Sequence, residues 1–184
     1  MKAESGVLGR VVVGVTGSLA SLAALRHGLA EARRDGRTLV AVLAWEPPEG
    51  EALFAQRPDR AWAKMWAETS RAQLKSAFHE ALGGVPADLP VELRVVRGAP
   101  GPVLCAVASR TGDLLVVGTA RKDGLAMRLR RRPVSRFVLA KSQCPVLAVP
   151  APELLPGEAR VLRKVAYFDP PGRPTSARTG LRRK

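Results

Sequence analysis

Apolar and polar positions along the chain fall into alternating blocks of two kinds. Val11-Val12-Val13-Gly14-Val15 is a nearly unbroken β-branched run, the pattern of a strand buried on both faces. Thr16-Gly17-Ser18 makes a turn, and Ser18 suits the cap of a helix. The spacing predicts that helix over Leu19 to Arg34, with Leu22, Ala23, Leu29 and Ala30 turned inward and Asp35-Gly36 ending it. Leu39 to Trp45 is a second continuous apolar strand. Strand, helix and strand form a βαβ unit, so the two strands run parallel with a right-handed crossover.

The polar, proline-containing segment Glu46 to Asp59 reads as a connection. Arg60 to Leu82 reads as a long helix stopped by Gly83-Gly84. Trp62, Trp66, Leu74, Ala77, Phe78 and Ala81 fall near one face of it, a stripe that favours core or subunit contact over a ligand platform. Val91 to Val96 alternates, as at a sheet edge. Pro102 opens a helix running to about Ser109, with Val103, Leu104 and Val107 inward. Asp113 to Val117 is the fourth strand, stopping at Gly118-Thr119. Val134 to Ala140 is the last core helix, with Phe137 and Leu139 as apolar positions, and Pro145 to Val149 is the fifth strand.

This alternation implies one α/β domain over residues 1–150, an open, doubly wound sheet of about five parallel strands. From Ala151 the pattern fails, and residues 151–184 read as a Pro/Arg-rich, largely irregular tail. Within it, Val161 to Phe168 has the makings of one short strand or turn. Ligands of such sheets sit at the carboxyl ends of the strands, here Thr16-Gly17-Ser18, Ala44-Trp45 and Gly118-Thr119.

Composition changes this picture in one respect. Hydrophobic residues at 46% supply a core, but the formal net charge of +14 raises affinity for polyanions. Arg121, Lys122, Arg128, Arg130, Arg131 and Arg132 crowd the segment after the fourth strand, and Arg178, Arg182, Arg183 and Lys184 the tail. No apolar run approaches the ~18 to 20 residues of a membrane span. The chain enters its first strand without a signal-peptide layout, so a cytoplasmic location is expected. Cys105 and Cys144 show no metal or CxxC spacing and read as reduced structural thiols. His27 and His79 lack partners of ligand type, and no metal site is expected. Ser18, Ser135 and Ser142 stand outside any nucleophile motif. Asp113 is expected to cap a turn. No catalytic constellation emerges, and the chain is not expected to be an enzyme.

Four segments carry a family likeness: Val11 to Leu25, Val95 to Ala108, Asp113 to Thr119 (DLLVVGT) and Val134 to Pro150 (VSRFVLAKSQCPVLAVP). In order and spacing the chain resembles the universal stress protein (UspA) family over about Val11 to Pro150. The resemblance implies a Rossmann-like fold with strand order 3-2-1-4-5 and helices on both faces, in a cytosolic homodimer paired through the last strand. One branch of the family binds ATP, with an Asp after the first strand and a G-x2-G-x9-G-(S/T) loop after the fourth. The other branch lacks that motif. Here the Asp position is Thr16, the first glycine is Gly118, and the second is Arg121. The loop is about one residue longer than the family spacing, which sets Arg132 and Pro133 where the third glycine and the hydroxyl residue belong, and Gly124 is out of register. Arginine disfavours the left-handed backbone that points successive N–H groups at a phosphate, and proline has no N–H to offer.

Three readings of function follow. In the first, the chain is a non-catalytic, homodimeric stress-response protein with a decayed nucleotide site. In the second, it is an adenine-nucleotide sensor, with ATP as the candidate ligand. Its site would draw on Thr16, Gly17, Ser18, Ala44, Gly118, Thr119, Arg121, Arg132 and Ser135, with loop arginines in place of glycines. In the third, the basic loop and tail bind nucleic acid or another polyanion. The dimer edge is expected at Val146, Leu147, Ala148 and Val149, unless the tail covers it within one chain.

Overall fold

The computed structural model describes residues 9–48, 50–56, 58–119 and 134–153. The chain divides into a unit Met1–Pro152 and a unit Glu153–Lys184, and only Glu153 of the second is described. The basic residues from Arg121 to Arg132, Pro133, Gly124 and the short element expected over Val161 to Phe168 therefore lie outside the described residues.

The order of elements is β1 (Val11–Gly14), α1 (Leu19–Asp35), β2 (Leu39–Trp45), α2 (Glu51–Gln56), α3 (Arg60–Leu82), β3 (Val91–Arg97), α4 (Pro100–Val107), β4 (Leu114–Thr119), α5 (Val134–Lys141) and β5 (Val146–Pro150). The strands form one parallel sheet ordered β3-β2-β1-β4-β5, the expected order. The chain winds outward from β1 to β3, then crosses back to lay β4 on the other side of β1. The carboxyl ends of β1 and β4 therefore flank the point where winding reverses, and a crevice opens there.

The continuous apolar runs are explained by burial on both faces. Val11, Val13, Leu39, Ala41 and Val116 face a core completed by Leu22, Leu25 and Leu29 of α1 and Leu74, Ala77 and Phe78 of α3. Val12, Val40, Val42, Leu115 and Val117 face a second core completed by Val103 and Leu104 of α4 and Val138 of α5. Helix α1 lies close on the sheet because Gly28 carries no side chain; a Cβ there would meet Val13 inside 3.0 Å. The helix starts at Ser18, whose hydroxyl accepts from the Ser21 N–H, and ends at Gly36, with φ 63°.

Several expectations are corrected. Ala30 is exposed, since the inward stripe of α1 follows Leu22, Leu25, Leu29 and Ala32. The segment read as an irregular connection holds α2, which buries Phe54 beneath the Arg97 guanidinium 4.8 Å from the ring centre. In α3 burial begins only at Ser70 and core contacts at Leu74; Trp62 and Trp66 pack edge to face on each other, 6.1 Å apart, outside both cores. In α5, where the pattern marks Phe137 and Leu139 only as apolar positions, the buried residue is Val138, and those two are exposed.

At the amino edge of the sheet, Asp113 is 1% exposed and Arg10 6%. Arg10 donates from Nη2 to Asp113 Oδ2 at 2.7 Å, from Nε to Oδ1 at 3.2 Å and from its backbone N–H to Oδ1 at 2.9 Å. The Arg110 N–H donates to Oδ2 at 3.1 Å. Burial alone would raise the Asp113 pKa, but these hydrogen bonds outweigh it and hold the carboxyl below its ordinary value. Asp113 thus caps the turn before β4, as expected, and also ties β1 to β4 before either begins.

Candidate functional site

The crevice at the reversal point is a cavity of about 480 Å³. Its first wall is the turn between β1 and α1. Val15 is buried and donates its N–H to the Val42 carbonyl, which fixes where the strand stops. Gly17 then takes φ 77°, a left-handed conformation that favours glycine, and turns the chain into α1. Three hydroxyls gather at this turn. Thr16 Oγ1 and Ser18 Oγ are 3.0 Å apart, Ser21 Oγ accepts from the Thr16 N–H at 3.2 Å, and Ser21 Oγ donates to the Ser18 carbonyl at 2.9 Å. Thr16 and Ser18 are exposed, whereas Ser21 is buried. The outer pair is thus presented to the crevice and the inner hydroxyl braces the turn.

The second wall is apolar. Val42 and Ala44 from β2, Pro100 and Leu104 from α4 and Val117 from β4 line it. Leu104 fits because Gly14 leaves room: a Cβ at Gly14 would stand 2.9 Å from Leu104 Cδ1. The remaining side is Gly118, with Val134, Ser135 and Ala151. The described lining carries no ionisable side chain. Such a surface takes a flat apolar group on one side and a group rich in hydrogen-bonding oxygens on the other.

Of the residues singled out from the sequence, Thr16, Ser18, Ala44, Gly118 and Ser135 line the cavity. Gly17 shapes it without lining it. Thr119 lies outside the lining, and its hydroxyl donates to the Val149 carbonyl of β5 at 3.3 Å. Arg121 and Arg132 lie outside the described residues. Ser21, Val42, Pro100 and Leu104 were not anticipated. Only Ser21 had a sequence signal, three positions after the capping serine.

Gly118 has a role that the sequence did not suggest. A Cβ there would fall inside 3.0 Å of the Ala20 carbonyl carbon and oxygen and 2.7 Å from the Ser21 nitrogen. Its φ lies outside the left-handed region. This glycine is therefore required by the approach of β4 to the first turn of α1, whatever the cavity holds.

Elsewhere the described residues offer little chemistry. No group of three or more His, Cys, Asp or Glu among them is placed to hold a metal ion. His27 and His79 are exposed on separate helices. Cys105 and Cys144 are free and half-buried; burial, with a lesser contribution from Cys144, pushes the Cys105 thiol up. No helix among the described residues is long and apolar enough to cross a membrane.

A doubly wound parallel sheet with a cavity at its reversal point defines a Rossmann-like protein. The universal stress protein family model matches residues 8–150, and the chain belongs to that family. Among solved structures, it is similar to the hypothetical protein MJ0577, with 15% identity over 79% of this chain and 98% of the other and a TM-score of 0.59, a likeness of fold. It is also similar to a universal stress protein solved in complex with cAMP, with 26% identity, 79% and 98% coverage and a TM-score of 0.48. An Arabidopsis thaliana universal stress protein family member with AMP bound is 19% identical, with 82% and 99% coverage and a TM-score of 0.49. No curated protein matches the chain.

Proposed function

We propose that this chain is a non-catalytic, cytoplasmic stress-response protein that binds an adenine nucleoside or nucleotide by its base and sugar. The observation that carries this reading is the mixed lining of the cavity. Val42, Ala44 and Leu104 offer apolar surface for a purine, and the Thr16–Ser18 hydroxyl pair in the same lining offers hydrogen-bonding partners for a ribose. A volume of about 480 Å³ falls within the ordinary range for small-ligand sites. Family membership supports a nucleotide as the ligand class. The phosphate cradle is the part that the sequence has lost, with Arg121, Arg132 and Pro133 at cradle positions and Thr16 at the acidic position. Binding then depends little on the number of phosphates. The described lining offers no base beside a nucleophile, which favours binding over turnover.

The test is Ala44→Phe, which fills the cavity from the end of β2. It is expected to weaken adenosine and AMP binding by at least tenfold while circular dichroism stays that of the folded wild type. Unchanged affinity would put the ligand elsewhere.

We also propose that the protein is a homodimer through β5. That strand is an edge of the sheet, with Val146 and Leu147 half-buried and Ala148 exposed. Pairing it with its twin removes an open edge. Val149 is buried within its own subunit and serves the core first.

A further inference from the structure

The turn that forms the hydroxyl wall is held from outside by a residue that lies off the cavity lining. Gln73, exposed in the middle of α3, donates from Nε2 to the Thr16 carbonyl at 2.9 Å. The same nitrogen stands 3.5 Å from where a Cβ would project at Gly17, so the amide lies over the turn in ordinary contact distance. A carbonyl only accepts, so the bond needs the NH2 end of the amide, and a carboxylate in its place would face the carbonyl with no proton to give. Thr16 is the residue whose N–H is fixed by Ser21 and whose Oγ1 meets Ser18. Its carbonyl is thus tied to α3 while its other groups are tied to α1.

Resting on the reading of the cavity as a nucleoside site, we propose that Gln73 is a positioning residue for it. It clamps Thr16 so that the Thr16–Ser18 hydroxyl pair meets the sugar. The bond joins two elements separated by 57 positions in sequence, and α3 thereby sets the shape of the site without lining it. One net hydrogen bond corresponds to a loss of about three- to tenfold in affinity.

The test uses the full chain with Gln73→Glu, Gln73→Ala and Gln73→Lys. Amide hydrogen exchange over residues 16–21 is measured without ligand, and adenosine and AMP are titrated by calorimetry. The expected result is faster exchange in the Glu and Ala variants, near-wild-type exchange in the Lys variant, which keeps a donor, and unchanged thermal midpoints throughout. Adenosine, being uncharged, separates loss of the clamp from repulsion by the new carboxylate. A three- to tenfold loss for adenosine as well as AMP in Gln73→Glu supports the clamp, and a loss for AMP alone overturns it. Unaltered exchange in Gln73→Glu overturns the inference whatever the titrations give. Faster exchange in Gln73→Glu together with unchanged adenosine affinity overturns the role in ligand binding, and faster exchange together with a wild type that binds neither probe overturns that role and the nucleoside reading as well.

Discussion

Replacing Gly118 by alanine separates two explanations of one glycine. A phosphate-binding loop needs glycine for backbone approach to the ligand, so its loss would damage binding and leave the fold alone. The packing seen here leads elsewhere. The new methyl would sit inside 3.0 Å of the Ala20 carbonyl carbon and oxygen and 2.7 Å from the Ser21 nitrogen. All three are backbone atoms in the first turn of α1, so no rotamer change relieves the overlap. The closest approach would be 2.4 Å, so ordinary contact at 3.4 Å requires β4 and α1 to part by about an ångström. That helix cannot retreat freely, because Gly28 seats it against Val13 and its side chains Leu22, Leu25 and Leu29 are packed in the core. Overpacking of this kind costs about 1–3 kcal/mol, and backbone neighbours put Gly118→Ala near the upper end. Stiffening of the unfolded chain by alanine offsets up to about 1 kcal/mol of this cost, since φ at Gly118 lies outside the left-handed region and adds no backbone strain. A net loss of about 2 kcal/mol lowers the thermal midpoint by roughly 4–8 °C for a domain of this size. Differential scanning calorimetry of the wild type and the variant, both without ligand, reads it directly. A midpoint within 1 °C of wild type, with nucleotide affinity lost, would refute the packing argument and restore the phosphate explanation.

Two further predictions concern the amino edge and the sheet edge. Asp113→Asn keeps the shape of the turn but leaves the buried Arg10 guanidinium without its counter-charge, a loss of about 3–5 kcal/mol at neutral pH by urea unfolding. Because the folded pKa of Asp113 is lowered, its contribution is fully present above the unfolded value of about 3.9 and is lost as pH falls through the folded one. The gap between wild type and variant should therefore narrow as pH falls from about 5 to 2, and a constant gap would contradict the assignment. The proposed β5 interface predicts a dimeric wild type in sedimentation and a monomeric Ala148→Lys, which puts a charge on an exposed position of that strand; a dimer in both would move the interface off this strand.

The sheet was legible in the sequence for a physical reason. Strands buried on both faces must be apolar throughout, and Val11–Gly14, Leu39–Trp45 and Leu114–Thr119 announce themselves in that way. Helix α2 did not, because six residues give no period to read and its anchor is the single buried Phe54. The rule that ligands meet strand carboxyl ends pointed to Thr16, Ser18, Ala44 and Gly118, and these four line the cavity. It was silent on Leu104 and Pro100, which reach the cavity through the placement of α4. Thr119 shows the limit of adjacency: one residue beyond Gly118, its hydroxyl serves the β5 backbone instead. The link between Arg10 and Asp113 spans 103 positions, and no local pattern reveals it. Gly118 was legible as a glycine but not as a packing glycine, since its neighbours Ala20 and Ser21 come close only once the chain is wound.

The proposed site grips base and sugar and does without a phosphate cradle. Calorimetric titration of the purified full chain with adenosine, AMP and ATP at fixed ionic strength tests it most directly. Measurable binding of all three is expected, with dissociation constants within about tenfold of one another, a spread of about 1.4 kcal/mol. Binding of ATP at least a hundredfold tighter than adenosine, or no binding of any of the three, would contradict it.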